Sequence, residues 1–306
     1  MISNGIRIAV ILNGISRRKS LYYDSIHPVL SGAFPVNVFE TQHAEHGRQL
    51  GKEVARDKYS HVIAAGGDGT LHQVLNGVLL ATPVESHNFT FGVIPLGTGN
   101  DFARTCGITT AGSELITAIQ SGGKPTDIGS LICADDLGVP QQKYFINVAS
   151  LGMGPEVVKR LAGDKRLLGP DLTYLKAILA TFISQRSQQI HIKTTGWEFN
   201  ELFRVIAMAN GRTFGHRITV GPDARVDDGI LSVFLARDMP WWKFIYSLQV
   251  AKMGKRIKND FVLYRTTKSL VLTSPTPAAV EAEGEWQGWL PAEIQILPGA
   301  IRFLRQ

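Results

Sequence analysis

Two glycine-rich segments in the first third of the chain carry acidic residues. Residues 66–70 are GGDGT, and residues 95–104 are PLGTGNDFAR. Glycine lets the backbone approach a ligand and adopt positive φ angles, and the N–H groups of such loops can hold phosphate oxygens. Asp68 and Asp101 would repel a phosphate unless Mg²⁺ bridges the two charges, or unless a carboxylate accepts the proton of an attacking hydroxyl. Either role points to phosphoryl transfer.

The spacing of these glycines excludes two common nucleotide-binding motifs. The pattern G-x-G-x-x-G is absent after the first predicted strand, which continues into NGISRRKS, and G-x-x-x-x-G-K-[ST] is absent throughout. The alternative is that each segment is a tight turn that merely reverses the chain. Two such clusters at neighbouring strand ends, each with an acid, favour a ligand site over that alternative.

The first 130 residues alternate between continuous apolar runs and amphipathic segments, which predicts a parallel α/β sheet. The predicted strands are residues 6–13, 35–41, 61–65, 91–95 and 126–132. Helical spacing is found in residues 43–57 and 111–120 and after residue 70, where Thr70 is predicted to be the N-cap. Both glycine-rich segments then follow carboxyl ends of strands, where open α/β sheets bind their ligands.

Beyond about residue 130, strand-like segments follow one another with few helices, which predicts a β-rich second domain, either a sandwich or a rolled sheet. The predicted strands are residues 143–150, 203–210, 229–236, 261–265, 269–273 and 292–297, and the predicted helices are residues 167–183 and 240–258. The second helix, PWWKFIYSLQVAKMGKRIK, has two interpretations. It is either an interfacial membrane anchor or a helix packed on the sandwich with a solvated basic end.

Composition limits the partners and the compartment. The 306 residues carry a formal net charge of +6 and a pI of about 9.3, which suits an anionic partner such as a nucleotide, a nucleic acid or an anionic membrane. Nucleic acid is the weakest of these, because no basic strand platform with interleaved aromatics is present. Only two cysteines, Cys106 and Cys133, are present, which favours a reducing cytoplasm.

No apolar run reaches the roughly 18 residues of a membrane span, so any membrane contact is predicted to be peripheral. The N-terminal MISNGIRIAVILNG lacks a preceding basic region and a cleavage site, and it is predicted to be a first strand rather than a signal peptide.

The two glycine-rich segments, read as GGDGTLHQVLNGV and PLGTGNDFAR, resemble the catalytic domain of the diacylglycerol kinase family. This family includes bacterial soluble lipid kinases and sphingosine kinases and is distantly related to NAD kinases. The similarity continues through TDIG (126–129), FINVASLGMGPEV (145–157), VGPDARVDDGILSV (220–233) and EGEWQGWLPAEIQILPGAIRFL (283–304). It therefore covers nearly the whole chain, in order.

The resemblance implies a fold and a domain division. The expected fold is a Rossmann-like parallel α/β nucleotide-binding domain followed by a β-sandwich domain for the lipid substrate. The first domain would be residues 1–128, joined by residues 298–306, and the second would be residues 129–297. The active site is expected between them.

The resemblance also implies the site residues. The expected nucleotide-binding residues are Asn13, Thr41, Gly66, Gly67, Asp68, Gly69, Thr70, Gly97, Thr98, Asn100, Arg104 and Glu285. Asp101 together with Asp68 would hold Mg²⁺ through water, and Lys165 would reach the substrate or the phosphates. A structural metal would take the carboxylate of Asp228 and the backbone carbonyls of Arg225 and Ile230.

Three departures from the family pattern affect the predicted chemistry. The first loop usually reads N-P-x-S-G but is NGISR here, with Arg17, Arg18 and Lys19 supplying positive charge for phosphates. A glutamate after GGDGT is replaced by Gln73, and the late D-G-E motif reads EGE at residues 283–285. Because glutamate is longer by one methylene, its carboxylate is displaced, and a shift of about 1 Å can cost roughly 10²-fold in rate. Asp68 and Glu283 therefore compete as the catalytic base.

The resulting prediction is an ATP- and Mg²⁺-dependent lipid kinase that phosphorylates the hydroxyl of diacylglycerol or a related lipid. It would be cytoplasmic and peripheral at the inner membrane face, with a homodimer as a further possibility. Two alternatives stay open, namely an NAD kinase and a catalytically weak homologue that binds lipid or nucleotide.

Overall fold

The computed structural model describes residues 5–82, 84, 88–162 and 170–305. The chain divides into two compact units. Unit 1 comprises Met1–Asp127 and Gly299–Gln306, and unit 2 comprises Ile128–Pro298. Lys165, predicted to reach substrate or phosphate, lies outside the described residues.

Unit 1 is built on a parallel sheet. Its first four strands are β1 (Ile8–Leu12), β2 (Val36–Glu40), β3 (His61–Gly66) and β4 (Thr90–Pro95). β1 pairs with both β2 and β3, and β4 pairs with β3, all in parallel. Arg302 and Phe303 add a further parallel strand beside β4, so the last part of the chain belongs to this sheet.

Helices cover the sheet of unit 1. They are α1 (Lys19–Leu21), a π-helical turn (Tyr22–Ile26), α2 (His27–Ala33), α3 (His46–Val54), α4 (Asp68–Ala81), α5 (Asp101–Thr105) and α6 (Gly112–Gln120). Ile8, Val10 and Leu12 of β1 pack in one cluster with Tyr22 and Leu30. The intervening residues of β1 are equally buried, and in a strand they point to the opposite face. Both faces are therefore covered, as the continuous apolar runs predict for a parallel sheet.

One helix start differs from its prediction. Helix α4 begins at Asp68, after Gly67 in an extended conformation, and no side chain caps it. Thr70 is therefore not the N-cap but lies in the first turn, where its Oγ1 accepts a hydrogen bond from Nδ2 of Asn13 (3.3 Å). Gly67, with φ −98° and ψ −170°, stands in the N-cap position instead, so the helix begins two residues before Thr70.

Unit 2 contains antiparallel strands. They are β5 (Lys124–Ala134), which begins in unit 1, β6 (Pro140–Phe145), β7 (Val148–Gly152), β8 (Gln188–Lys193), β9 (Glu198–Ala209), β10 (Thr213–Phe214), β11 (Ile218–Thr219), β12 (Leu231–Arg237), β13 (Val262–Thr267), β14 (Ser269–Thr273), β15 (Ala279–Ala282) and β16 (Glu285–Phe303). Six of these strands pair in a closed ring, in the order β9, β7, β15, β16, β14, β8 and back to β9. The β-rich prediction for this part of the chain is confirmed.

The sheet of unit 2 packs an apolar cluster on one face and helices on the other. Along β12, Leu231, Val233 and Leu235 belong to the cluster inside the sheet, whereas Phe234 and Ala236 belong to a second cluster. This second cluster contains residues of α9 (Trp241–Lys252). Helices α7 (Met153–Ala162) and α8 (Pro170–Ser184) contribute to a third cluster beside it. The alternation along the strand is the period of two that a two-sided sheet requires.

The strand predicted over residues 143–150 is interrupted. β6 ends at Phe145 and β7 begins at Val148, because the backbone N–H groups of Ile146 and Asn147 donate to the side chain of Glu283 instead of to a neighbouring strand. β8 was missed, although Ile190 and Ile192 alternate with polar residues there. Six residues are short for a pattern to be recognised in sequence alone.

Glu281 of β15 is a buried acid in an otherwise apolar strand. It lies opposite Ser150 of β7, whose hydroxyl donates to its Oε1, and its Oε2 accepts the backbone N–H of Gly284 (3.0 Å). Burial raises the pKa of Glu281 from 4.5 to about 7, and the two hydrogen bonds only partly oppose this.

This pKa makes the stability of the fold depend on pH. Between pH 4.5 and 7 the native state retains a proton that the unfolded chain loses, so stability falls as the pH rises through this window and is constant above it. The variant Glu281→Gln mimics the protonated form. We expect its stability relative to the wild type to rise between pH 5 and pH 8 by up to about 3 kcal/mol, measured by urea unfolding. A difference that is the same at both pH values would contradict the assignment.

Candidate active site

The two glycine-rich loops touch each other in unit 1. They follow β3 and β4, which are adjacent and parallel, so both lie at the same edge of the sheet. A Cβ on Gly97 would overlap with the Cα of Gly67, and a Cβ on Gly66 would overlap with the hydroxyl of Thr70. None of these three glycines has a positive φ. They are glycines because the chains approach closely, and not because the backbone is left-handed.

Asp68 joins the two loops through its carboxylate. Its Oδ2 accepts the backbone N–H of Asp101 (3.0 Å) and its Oδ1 accepts that of Phe102 (3.1 Å). These are among the first N–H groups of α5, which no carbonyl of the helix can satisfy. The aspartate therefore binds the start of one helix while it forms the first residue of another.

A second carboxylate lies beside Asp68. A Cβ placed on Gly99 would be 3.2 Å from Oδ2 of Asp68 and 3.5 Å from Oδ2 of Asp101, so both acids face the same glycine. Burial raises the pKa of Asp68, the negative charge of Asp101 raises it further, and the bound N–H groups oppose both effects. Arg104 pairs with Oδ1 of Asp101 at 3.1 Å. One or two carboxylates that share a Mg²⁺ with substrate phosphates form the usual protein site for this ion, and this pair fits it.

Two further predicted residues hold the second loop in shape. Asn100 has a left-handed backbone (φ 52°), its Oδ1 accepts the N–H of Gly97 (3.1 Å), and its Nδ2 donates to the carbonyl of Gly97 (2.8 Å). Arg104 donates from Nη2 to the carbonyl of Gly99 (2.8 Å). The loop is therefore closed by its own side chains, and Thr98 lies exposed between its two glycines.

The ends of β1 and β2 reach the same edge. Besides the bond from Asn13 to Thr70, the N–H of Gly14 donates to Oγ1 of Thr41 (3.1 Å). Unit 1 thus brings together, at one sheet edge, every predicted nucleotide-binding residue except Glu285, which lies in unit 2. The charge of Lys19, predicted to face phosphates, is offset by an ion pair with Glu40 at 2.5 Å.

Gln73, the second departure, lies on α4 beyond the loop. Its Nε2 donates to Oε1 of Glu45 at 3.5 Å. A glutamate at position 73 would place a second negative charge beside Glu45. The neutral amide is therefore compatible with this neighbour.

Glu283 lies in a two-residue turn of unit 2. The turn connects β15 to β16, with Ala282 paired to Glu285, and both of its residues have positive φ (57° for Glu283 and 81° for Gly284). This is the type I′ hairpin, which favours Asp-Gly and Asn-Gly. Glu283 is held by hydrogen bonds that its Oε1 accepts from the N–H groups of Ile146 (3.0 Å) and Asn147 (2.6 Å).

Sequence reasoning missed the residues that position this turn. Asn147 is buried, and its Nδ2 donates to the carbonyl of Thr213 (2.9 Å). Glu281 fixes the other side of the turn through the N–H of Gly284. The sequence held one signal, which is the acid Glu281 inside the apolar segment AVEA. Because a buried carboxylate needs a hydrogen-bond partner, this acid could have predicted a polar contact near the turn.

The predicted structural metal loop is an exposed turn. Oδ1 of Asp228 accepts the N–H of Ile230 (3.1 Å), and Arg225 pairs with Asp227 at 3.5 Å. Among the described residues, no cluster of three or more histidine, cysteine or acidic side chains is found. A metal at this turn stays a prediction.

Unit 2 also contains an apolar pocket of about 100 Å³, which is partly open to solvent. It is lined by α7, α8, α9 and the outer face of the sheet, with Met153, Tyr174, Phe214, Phe234 and Phe244 among its walls. Among the residues that the structure describes, no charged side chain lines it. Nowhere in the described part of the chain is a helix both long and apolar enough to cross a membrane.

Comparison with known proteins agrees with this architecture. Residues 7–131 match the diacylglycerol kinase catalytic domain, and residues 147–305 match the YegS C-terminal domain, which is described as NAD kinase β-sandwich-like. The structure of a diacylglycerol kinase from Bacillus anthracis superimposes with a TM-score of 0.70 at 19% identity, covering 98% of this chain and 97% of that one. At that identity the likeness concerns the fold.

Curated relatives are similar over most of the sequence. The diacylglycerol kinase of Bacillus subtilis is 29% identical over 245 residues, 79% of this chain and 76% of its own length. A protein of Shewanella frigidimarina named "Probable lipid kinase YegS-like" is 30% identical over 255 residues, 82% of this chain and 78% of its own length. The glycine-rich loops, the paired acids and the β-rich unit therefore have a common explanation, which is that this chain belongs to the diacylglycerol kinase and YegS-like lipid kinase family.

Proposed function

We propose that this chain transfers the γ-phosphoryl group of ATP to the hydroxyl of diacylglycerol or a related lipid. The observation that carries the proposal is the Asp68 carboxylate bound to the start of α5, because it fixes two glycine loops and two acids at one sheet edge. Glycine backbone at such an edge can approach phosphate oxygens closely. The names of the relatives support a lipid as the acceptor.

The proposed nucleotide site uses the unit 1 residues described above. The N–H groups of residues 66–70 and of Thr98 and Gly99 would bind the phosphates, while Asp68 and Asp101 would hold Mg²⁺. When bound, that ion would neutralise phosphate charge. The ion pair with Arg104 keeps the charge of Asp101 balanced. Catalysis of this kind depends mainly on positioning and on charge neutralisation.

We assign the base to Glu283 and a positioning role to Asp68. Both oxygens of Asp68 accept backbone N–H groups, which is a structural task. Glu283 is carried on a turn instead, where the N–H groups of Ile146 and Asn147 donate to its Oε1 and fix the carboxylate. In the proposed step, Glu283 takes the proton of the lipid hydroxyl. The hydroxyl oxygen then bonds to the γ-phosphorus, the bond to the β–γ bridging oxygen breaks, and ADP leaves.

The pocket of unit 2 supports a lipid rather than a dinucleotide as acceptor. Its walls are apolar and uncharged, which suits an acyl chain, whereas a dinucleotide brings phosphates that need cationic or N–H partners. The NAD kinase alternative therefore has less support. The alternative of a catalytically weak homologue rests on Glu283 and Gln73 and is decided by the assays below.

The direct test is transfer of radiolabelled phosphate from ATP to lipid. Purified protein is incubated with labelled ATP, Mg²⁺ and diacylglycerol in mixed micelles, and the products are separated by thin-layer chromatography. We expect labelled phosphatidic acid, lost on addition of EDTA. Label in NADP with NAD as acceptor, or no product with a panel of lipid alcohols despite measurable ATP binding, would overturn the proposal.

The base assignment predicts a specific kinetic change. Glutamine at position 283 can still accept the N–H groups of Ile146 and Asn147 but cannot take a proton. We expect Glu283→Gln to lower kcat by roughly 10²–10⁴-fold and to leave the ATP dissociation constant unchanged. The readouts are steady-state kinetics and calorimetric titration of a non-hydrolysable ATP analogue.

Glu283→Asp is the matched variant. Aspartate suits the left-handed turn position better but shortens the side chain, so activity should fall less than with glutamine or should rise. If Glu283→Gln retains full kcat, Glu283 is not the base.

The positioning role of Asp68 predicts a different result. An asparagine at position 68 has one side-chain oxygen, which can accept one N–H group of α5. Its amide N–H₂ would then face the second N–H group, and two donors cannot form a hydrogen bond. The mismatch should cost about 1–3 kcal/mol and disorder both loops. We expect Asp68→Asn to weaken ATP binding and to lower the thermal midpoint, whereas Asp57→Asn at an exposed site should do neither. Lost kcat with unchanged ATP affinity and stability would contradict the positioning role and would give Asp68 a part in the chemical step, as base or as Mg²⁺ ligand.

A further inference from the structure

Helix α9 in unit 2 presents large apolar side chains to solvent. Trp241 is 70% exposed, Trp242 56%, Tyr246 63% and Met253, which follows the last turn, 60%. At 100° per residue these four lie within one 140° sector of the helix. Single exposed apolar residues are ordinary on a protein surface, whereas four together on one helix face form a patch.

The opposite face of α9 is already buried. Ser247, Val250 and Ala251 pack on the sheet, and Phe244 stacks on Phe182 of α8 with ring centroids 3.9 Å apart. Phe244 and Ala251 also line the apolar pocket. The helix therefore already packs one face against the protein, and the exposed patch lies on a different face. A surface helix normally turns polar residues outward, so this helix has a second apolar face that needs a partner.

The charged residues of the segment 240–258 are all basic. No acid occurs in residues 240–258, which contain Lys243, Lys252, Lys255, Arg256 and Lys258. Lys252, Lys255 and Lys258 are exposed, and none of the three pairs with a carboxylate in the described part of the chain. Arg256 differs, because it pairs with Asp223.

The patch thus combines tryptophan and tyrosine with lysines. Lys243 packs its ammonium group over the rings of Trp242 (5.3 Å) and Phe261 (4.6 Å), so its charge stays at the edge of the aromatic surface. Aromatic rings with one polar edge are enriched at the boundary between lipid headgroups and acyl chains, and lysines beside them reach phosphate groups.

We propose that the outer face of α9 docks on a bilayer that contains anionic phospholipids. Trp241, Trp242, Tyr246 and Met253 enter the interfacial layer, and the three exposed lysines contact headgroup phosphates. This surface extends the proposed lipid kinase function, because it brings the chain to the membrane that holds the acceptor. Docking and phosphoryl transfer are nevertheless measured separately.

The test is co-sedimentation with sucrose-loaded vesicles, either of phosphatidylcholine alone or of equal parts phosphatidylcholine and phosphatidylglycerol. We expect binding mainly to the anionic vesicles, with a blue shift of tryptophan emission. The double variant Trp241→Ala/Trp242→Ala should weaken binding about tenfold or more. The triple variant Lys252→Gln/Lys255→Gln/Lys258→Gln should weaken it roughly a hundredfold, and added salt should weaken wild-type binding.

Matched variants control for apolar area and for charge. Leu137→Ala removes another highly exposed apolar side chain, and Lys52→Gln/Arg56→Gln/Lys58→Gln removes three exposed charges from unit 1. Both should bind anionic vesicles within about twofold of the wild type. Equal losses in patch and control variants would overturn the proposal.

Two other measurements separate the remaining outcomes. The patch variants should phosphorylate a water-soluble short-chain diacylglycerol at the wild-type rate and lose activity only with long-chain diacylglycerol in vesicles. If the chain binds vesicles but phosphorylates no lipid, docking stands and the proposed function fails. If the wild type binds no vesicles and light scattering shows a dimer that the double tryptophan variant abolishes, the patch is a contact between two copies of this chain and the proposal is wrong.

Discussion

Unit 1 of this protein depends on one carboxylate bound to two backbone N–H groups. Asp68 stands at the first residue of α4, and its oxygens accept the first N–H groups of α5. Because the two helices begin after adjacent parallel strands, this contact fixes both loops at once. Gly67 and Gly97 can then touch through their backbones, which no larger residue would allow. The structural role of Asp68 therefore accounts for an acid between two glycine-rich loops, whatever ligand these loops bind.

A similar constraint shapes the second unit. The Glu283 carboxylate interrupts what would otherwise be one strand, because it takes the N–H groups of Ile146 and Asn147. Glu283 lies in a two-residue turn in which both φ angles are positive. The buried Glu281 stabilises this turn by accepting the backbone N–H of Gly284. A glutamate at such a turn position is unusual, since aspartate and asparagine tolerate left-handed backbone better. The longer side chain reaches the two N–H groups nonetheless.

Much of the fold could be predicted from the sequence. The strands of unit 1 are continuous apolar runs ended by glycine, and this pattern is local, so β1, β3 and β4 were predicted to within two residues of their observed ends. The start of α4 and the break between β6 and β7 were not. The break depends on a hydrogen bond between residues 137 positions apart, and no local pattern reports it.

The sequence by itself determined the family, the two types of architecture and the identity of the glycines and acids at the strand ends. Only the tertiary structure decided what these residues do for one another. It showed that the glycines serve close approach, that Asn100 clamps its own loop, and that Gln73 lies beside Glu45. It also decided which face of α9 is covered. The reason is that burial and hydrogen-bond partners are properties of packed neighbours, which a helical period in sequence cannot identify.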